Sequence, residues 1–165
     1  MAIEYDLDLA TRSSAAEIAA RLLATGTANG VLDASVTVQQ LLERGPFAPT
    51  RLGTRVGVVA WRPPRPWHPV VAGLGFTPTV GVGFRMARGV EVSDQQDDML
   101  RLLVPLLARV DGDAVLHQDY EQVWLVRRGG ELSLSENADL WRPARLALVR
   151  APFRRETHTL EEAHP

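Results

Sequence analysis

Cysteine is missing from this 165-residue chain, and so is lysine. The first absence removes disulfides, thiol nucleophiles and thiolate metal sites from consideration. The second means that all 18 basic residues are arginines, scattered along the whole sequence. A GC-rich coding sequence produces that bias as readily as selection for bidentate contacts does. Long apolar runs are also missing. The longest, such as 102–108, fall well short of the ~18 residues that cross a bilayer. Residues 1–9 alternate acidic and apolar side chains, where a secretory leader needs a basic start and an unbroken apolar stretch. A cytoplasmic protein without membrane partners is expected. Excess positive charge is lacking as well: the formal net charge is −2. No broad positive field is available to hold a phosphate backbone, so nucleic acid is not an expected partner.

What remains is the composition of a folded domain. Hydrophobic residues make up 45% and charged residues 23%, as in ordinary soluble domains, and the length suits one core rather than two. Residues 1–155 read as a single domain, and 156–165, which lack an apolar period, as a flexible tail. Ile3, Tyr5, Leu7 and Leu9 alternate with Glu4, Asp6 and Asp8, the two-residue period of a strand with one dry face. Ser14 and Glu17 form a capping box ahead of Ile18, Leu22 and Leu23, with Gly26 as a stop. Thr37 and Gln40 repeat that signal for a short helix through Leu41 and Leu42, ending at Gly45-Pro46. Val56, Val58 and Val59 predict a strand over 54–61, after which Pro63, Pro64 and Pro66 withdraw the amide donors that a ladder requires. Val80, Val82, Phe84 and Met86 alternate with Gly81, Gly83 and Arg85. That strand has one apolar face and one nearly bare face, over which something should pack closely.

Ser93 is the expected cap of the longest helix, and Asp94, Asp97 and Asp98 put negative charge near the positive end of its dipole. Met99, Leu102, Leu103, Leu106, Leu107 and Val110 form one apolar stripe. Pro105 interrupts it, and should kink the helix or cost about 3 kcal/mol if nothing compensates. Beyond Asp111-Gly112, segments 114–117, 122–127 and 131–134 predict three strands, the last two joined by a turn at Gly129-Gly130. The order strand, helix, short helix, two strands, long helix, three strands is that of an α+β fold. It predicts a largely antiparallel sheet with two main helices packed on one face.

No catalytic or metal constellation emerges. His68, His117, His158 and His164 are dispersed apart from the last two, whereas metal ligands arrive as short pairs on a rigid element, so neither metal nor cofactor is expected. No serine sits in a nucleophile elbow, and Gly73, Gly75, Gly81 and Gly83 match neither the dinucleotide nor the Walker spacing. Adjacent acids such as Asp97 and Asp98, or Glu161 and Glu162, point apart on a helix. Two surfaces remain as candidates for partner contact. One is acidic: Glu4, Asp6 and Asp8 share a strand face, and Glu91, Asp94, Asp97 and Asp98 gather where the long helix begins. Like charges along a strand repel, so a partner or this chain's own arginines must screen them. The other is aromatic: Trp61 and Trp67 flank the prolines, with His68 beside them. Tryptophan in such a loop serves as an interface anchor or as a plug over the core.

Three segments, MAIEYDLDLAT, VSDQQDDMLRLL and RRGGELSLSENADLW, together resemble the swarm-inhibition (Sit) immunity proteins of myxobacteria and actinomycetes. The resemblance extends over roughly Ala2 to Arg155 and rests on overall pattern, since the family has no catalytic motif to match. It implies a cytoplasmic antitoxin that binds and blocks a cognate polymorphic toxin. Two other readings stand beside it. One is a small enzyme using Asp119 or Glu121 with His117 and an arginine. The other is a scaffold that recognises a peptide along a sheet edge or through the Trp61–Trp67 loop.

Overall fold

Strand β1 (Glu4–Ala10) lies in the middle of the sheet in a computed structural model that describes residues 2–43 and 48–160. After it come helices α1 (Ala15–Ala28) and α2 (Val38–Leu42), the two-residue strand β2 (Ala48–Pro49), β3 (Arg55–Ala60), α3 (Pro69–Leu74) and β4 (Val80–Arg85). The long helix α4 (Val92–Arg109) leads to β5 (Asp113–Gln118), β6 (Gln122–Arg128), β7 (Glu131–Leu134), α5 (Pro143–Leu146) and β8 (Phe153–Arg155). All eight strands form one sheet in the order β2-β3-β4-β1-β5-β6-β7-β8. Every strand pairing is antiparallel except that of β7 with β8. The fold is therefore α+β, with the two long helices α1 and α4 on one face of a mostly antiparallel sheet.

The period of two in β1 decides which face they cover. Tyr5, Leu7 and Leu9 join Val58, Val82, Phe84 and Leu116 from the neighbouring strands, and Ile18, Leu22, Leu102, Leu103 and Leu106 descend on them from the helices. Each large apolar side chain buried this way is worth about 1.5–3 kcal/mol relative to exposure. The reciprocal capping boxes form at both predicted helix starts, Ser14 with Glu17 and Thr37 with Gln40. Gly26, expected as the stop of α1, instead lies buried inside that helix. A Cβ there would sit 2.5 Å from the Leu32 side chain and 3.0 Å from Leu102, so glycine is required by close packing. The chain turns at Asn29 and at Gly30, whose φ is +76°.

Pro105 is accommodated from outside its own helix. It has no N–H to serve the carbonyl of Arg101, and that oxygen accepts a hydrogen bond from Asn29 Nδ2 at 3.1 Å. Asn29 Oδ1 meanwhile accepts from the Val31 amide, so one side chain closes α1 and repairs α4. At the far end of α4, Arg127 donates to the carbonyls of Leu107, Val110 and Gly112. A guanidinium there satisfies orphan acceptors and opposes the negative end of the dipole. Ser93, predicted as the cap of α4, does not cap it: the helix begins at Val92 after Glu91, with no side-chain cap. The Ser93 hydroxyl accepts from Arg142 and Arg145 instead.

Four elements were not anticipated. Helices α3 and α5 each start on a proline, Pro69 and Pro143, a residue well suited to a first helical turn though it reads in sequence as a breaker. Strands β2 and β8 exist only through distant pairing, with β3 and β7 respectively. Beyond β8 the chain stays on the sheet: the Glu156 amide donates to Leu134, His158 Nε2 lies 3.0 Å from Ser133 Oγ, and Leu160 lies against Gly73. The predicted helix stop at Gly45-Pro46 and residues 161–165 lie outside the described residues. No described helix is long and apolar enough to cross a membrane.

Candidate functional site

The second face of β1 carries Asp6 and Asp8. In register, Asp6 sits between Gly83 of β4 and His117 of β5, and Asp8 between Gly81 and Val115. Over β5 and β6 this face is roofed by α3 and the residues after it, with Val70, Leu74 and Phe76 packed on Val115, Val123 and Val126. Over β3 and β4 it is open. Gly57 pairs with Gly83, and Val59 with Gly81, so three glycines leave the sheet backbone bare beside the two carboxylates. A cavity of about 150 Å³ results, lined by Asp6, Asp8, Gly57, Val59, Trp61, Gly81 and Gly83. The Trp61 indole folds onto Gly81, where a Cβ would come within 2.7 Å of Nε1. That explains the glycine and meets the expectation that something packs closely there. Trp61 Nε1 is buried and has no acceptor among the described residues.

Behind the cavity runs a polar chain. His117 is fully buried and places Nε2 2.9 Å from Asp8 Oδ2. Its Nδ1 accepts from the Tyr120 amide at 3.1 Å, which leaves the Nε2 proton to donate to Asp8. The amide is aimed by a turn in which Asp119 and Tyr120 both have positive φ, 50° and 59°, a conformation that costs free energy in non-glycine residues. The Tyr120 ring repays some of it by stacking on His117 at 4.2 Å, and its hydroxyl lies 3.2 Å from His68 Nε2. His68 in turn stands edge-on to Trp61 at 5.1 Å. Burial lowers the pKa of His68. Burial, with the charges of Asp8 and Asp6, raises that of the Tyr120 hydroxyl. Asp6 is pushed up to about 6, first by burial and then by the carboxylates of Asp8, Glu4 and Asp119, against an opposing pull from His117.

His117 is not free to act as an acid or base. Both ring nitrogens of His117 are occupied inside the protein, so it has neither a lone pair nor a proton to present to a substrate. Asp119 and Glu121 are exposed on the turn, and neither makes a hydrogen bond to His117 among the described residues. No group of three histidine, aspartate or glutamate side chains among those residues is arranged to hold a metal ion.

Residues 3–145 match a known family. The chain belongs to the SitI3-like family. The match begins one residue before β1 and ends on Arg145, so it takes in Asp6, Asp8, Trp61 and His117 together. No curated protein and no solved structure matches the chain.

In this SitI3-like chain the nine residues singled out as contact candidates fall into two groups. Five of them are engaged within the fold or lie inside it. Glu4 pairs with its cross-strand neighbour Arg85 at 2.8 Å, and Asp97 with Arg145 at 2.6 Å. Asp98 accepts both arms of Arg51 at 2.9 Å and Arg101 at 3.0 Å. Asp8 is held by His117, and Trp61 covers Gly81. Asp8 and Asp98 are each only 1% exposed. The other four are Asp6, which has no hydrogen-bonding partner among the described residues, the exposed Glu91 and Asp94, and Trp67. The last is 42% exposed, with Arg65 poised 5.6 Å over its ring.

Sequence reasoning missed the arginines that perform this pairing. Arg145 is the clearest: it is 2% exposed, donates to Asp97, Ser93, Gln96 and Leu140, and lies 5.7 Å over the Trp124 ring. Its only signal was an arginine two residues after a proline. Gly57 was missed because its significance depends on facing Gly83 across a strand pairing. A larger depression of about 910 Å³ lies between the C-terminal half of α4 and 147–154, lined largely by apolar side chains such as Val104, Leu132 and Phe153.

Proposed function

We propose that this SitI3-like protein is an immunity protein, which binds a cognate protein toxin in the cytoplasm and blocks it by occlusion without making or breaking a bond itself. Membership of the family over residues 3–145 carries the reading. The geometry supports it in two ways. The one histidine–carboxylate pair that looks catalytic is spent internally, Asp8 on His117 and His117 on Tyr120. Of the acidic contact candidates, Asp6, Glu91 and Asp94 are left without side-chain partners among the described residues, and beside Asp6 stands Trp61, of a residue type that anchors interfaces. A basic toxin surface complements them. Glu4, Asp8, Asp97 and Asp98 then act by holding that surface in shape.

Co-expression with the product of the adjacent gene tests the proposal. Rescue of growth together with co-purification of the two proteins is expected. A neighbour that is harmless alone, or rescue by no co-purifying complex, contradicts it and favours a peptide-binding scaffold.

A further inference from the structure

We infer that the glycine-floored pocket is a receptor for an arginine side chain presented by the protein partner, with the guanidinium lying between the Trp61 indole and the Asp6 carboxylate. The inference rests on the binding function proposed above and names the chemistry of its contact.

Shape is the first argument. Gly57 and Gly83 are cross-strand partners and Gly81 follows on the same face, so the floor is backbone alone. Trp61 closes one side and Asp6 another, leaving about 150 Å³. That is a shallow slot for a planar group. A guanidinium stacks on an aromatic ring and forks onto a carboxylate, which a compact ammonium does less well.

Charge is the second argument. Elsewhere in the molecule the carboxylates near arginines are taken, Glu4 by Arg85, Asp97 by Arg145, and Asp98 by Arg51 and Arg101. Asp6 faces Gly83, which has no side chain to answer it, and His117 on its other side, which is engaged by Asp8; Arg85, two residues along β4, is engaged by Glu4. A partly desolvated carboxylate without a cation is costly to keep. A guanidinium from outside removes that cost.

The third argument is independent of charge. Three buried polar side-chain atoms lack a partner among the described residues, namely Thr50 Oγ1, Trp61 Nε1 and Trp124 Nε1. Of these, Trp61 is the one that lines this pocket. An orphaned indole N–H calls for an oxygen. An arginine within a peptide brings one in its own backbone carbonyl, whereas a bare metal ion or a free ammonium does not.

The test needs no toxin. The chain has four tryptophans, hence four indole N–H resonances in a 15N-labelled sample. That of Trp61 is assigned by its loss in Trp61→Phe. Titration with N-acetyl-arginine methylamide is expected to shift the Trp61 resonance saturably in the millimolar range, while those of Trp124 and Trp141, inside the core, stay still. The neutral isostere N-acetyl-citrulline methylamide should bind about tenfold more weakly or not at all. Asp6→Asn should weaken the arginine response about tenfold, its fold checked by unmoved Trp124 and Trp141 signals. Gly83→Ala, whose Cβ would stand 3.4 Å from Asp6 Oδ1, provides a second variant that narrows the slot without touching a charge, and should also weaken it. No saturable shift, an equal response to citrulline, or a response unchanged in both variants overturns the assignment. A positive titration alongside failed protection in co-expression sinks the immunity reading and keeps the pocket. Protection with a negative titration does the reverse.

Discussion

On the helix-covered face of β1, Tyr5, Leu7 and Leu9 are buried against two helices. One residue along, on the outer face, Asp6 and Asp8 look across bare glycines, and only Asp8 has a partner. The same contrast separates the two acidic regions. At the start of α4, Asp97 and Asp98 each receive an arginine, and Gln95 serves Thr54, Ala87 and Val90. At the open end of the outer face a carboxylate and an indole N–H are left unmatched. The charges that organise the start of α4 are satisfied from within, and the one at the open end of the outer face is not.

Four substitutions sharpen that contrast. Arg145→Ala should lower the unfolding free energy by about 3–5 kcal/mol in urea titration, because it strands buried acceptors at Ser93 and Leu140 along with Asp97. His117→Ala should cost about 3 kcal/mol by the same measurement, since it leaves the Asp8 carboxylate buried alone. Asp6→Asn should act in the opposite direction. Its folded-state pKa of about 6 lies above the ordinary 3.8, so the native state binds the proton more tightly and stability falls as pH rises between those values. Replacing it should therefore raise stability by about 1–2 kcal/mol at pH 8 and have little effect below pH 4. The smallest effect is expected at Asn29→Ala, about 1 kcal/mol from the exposed Arg101 carbonyl. In a Pro105→Ala background, where the helix recovers its own donor, that cost should shrink, and a double-mutant cycle measures the difference.

Periodicity made much of this legible beforehand. The alternation in β1 and in Val80–Arg85 placed two strands and their dry faces, including the bare glycine side, and the two capping boxes located α1 and α2. What escaped depended on partners distant in sequence. Ser93 has the residue type of a cap, but Arg142 and Arg145 claim its hydroxyl from 49 and 52 residues away. Gly26 has the residue type of a stop, but Leu32 and Leu102 require it within the helix. Acidic residues that seemed to form one repelling strand face were divided by the strands on either side: Arg85 pairs with Glu4, and His117, though opposite Asp6 in register, gives its Nε2 to Asp8, while β4 sets only a glycine against Asp6. Local pattern says which way a side chain points. It does not say what is waiting there.

The affinity of Asp6→Asn for the toxin that co-expression identifies as the partner, measured by calorimetry at pH 8 beside the unaltered chain, tests this account most directly. A variant that folds more stably yet binds about tenfold or more weakly is the predicted result. Binding that is as tight as before, in a variant whose stability has risen, would show that the unmatched carboxylate serves no partner.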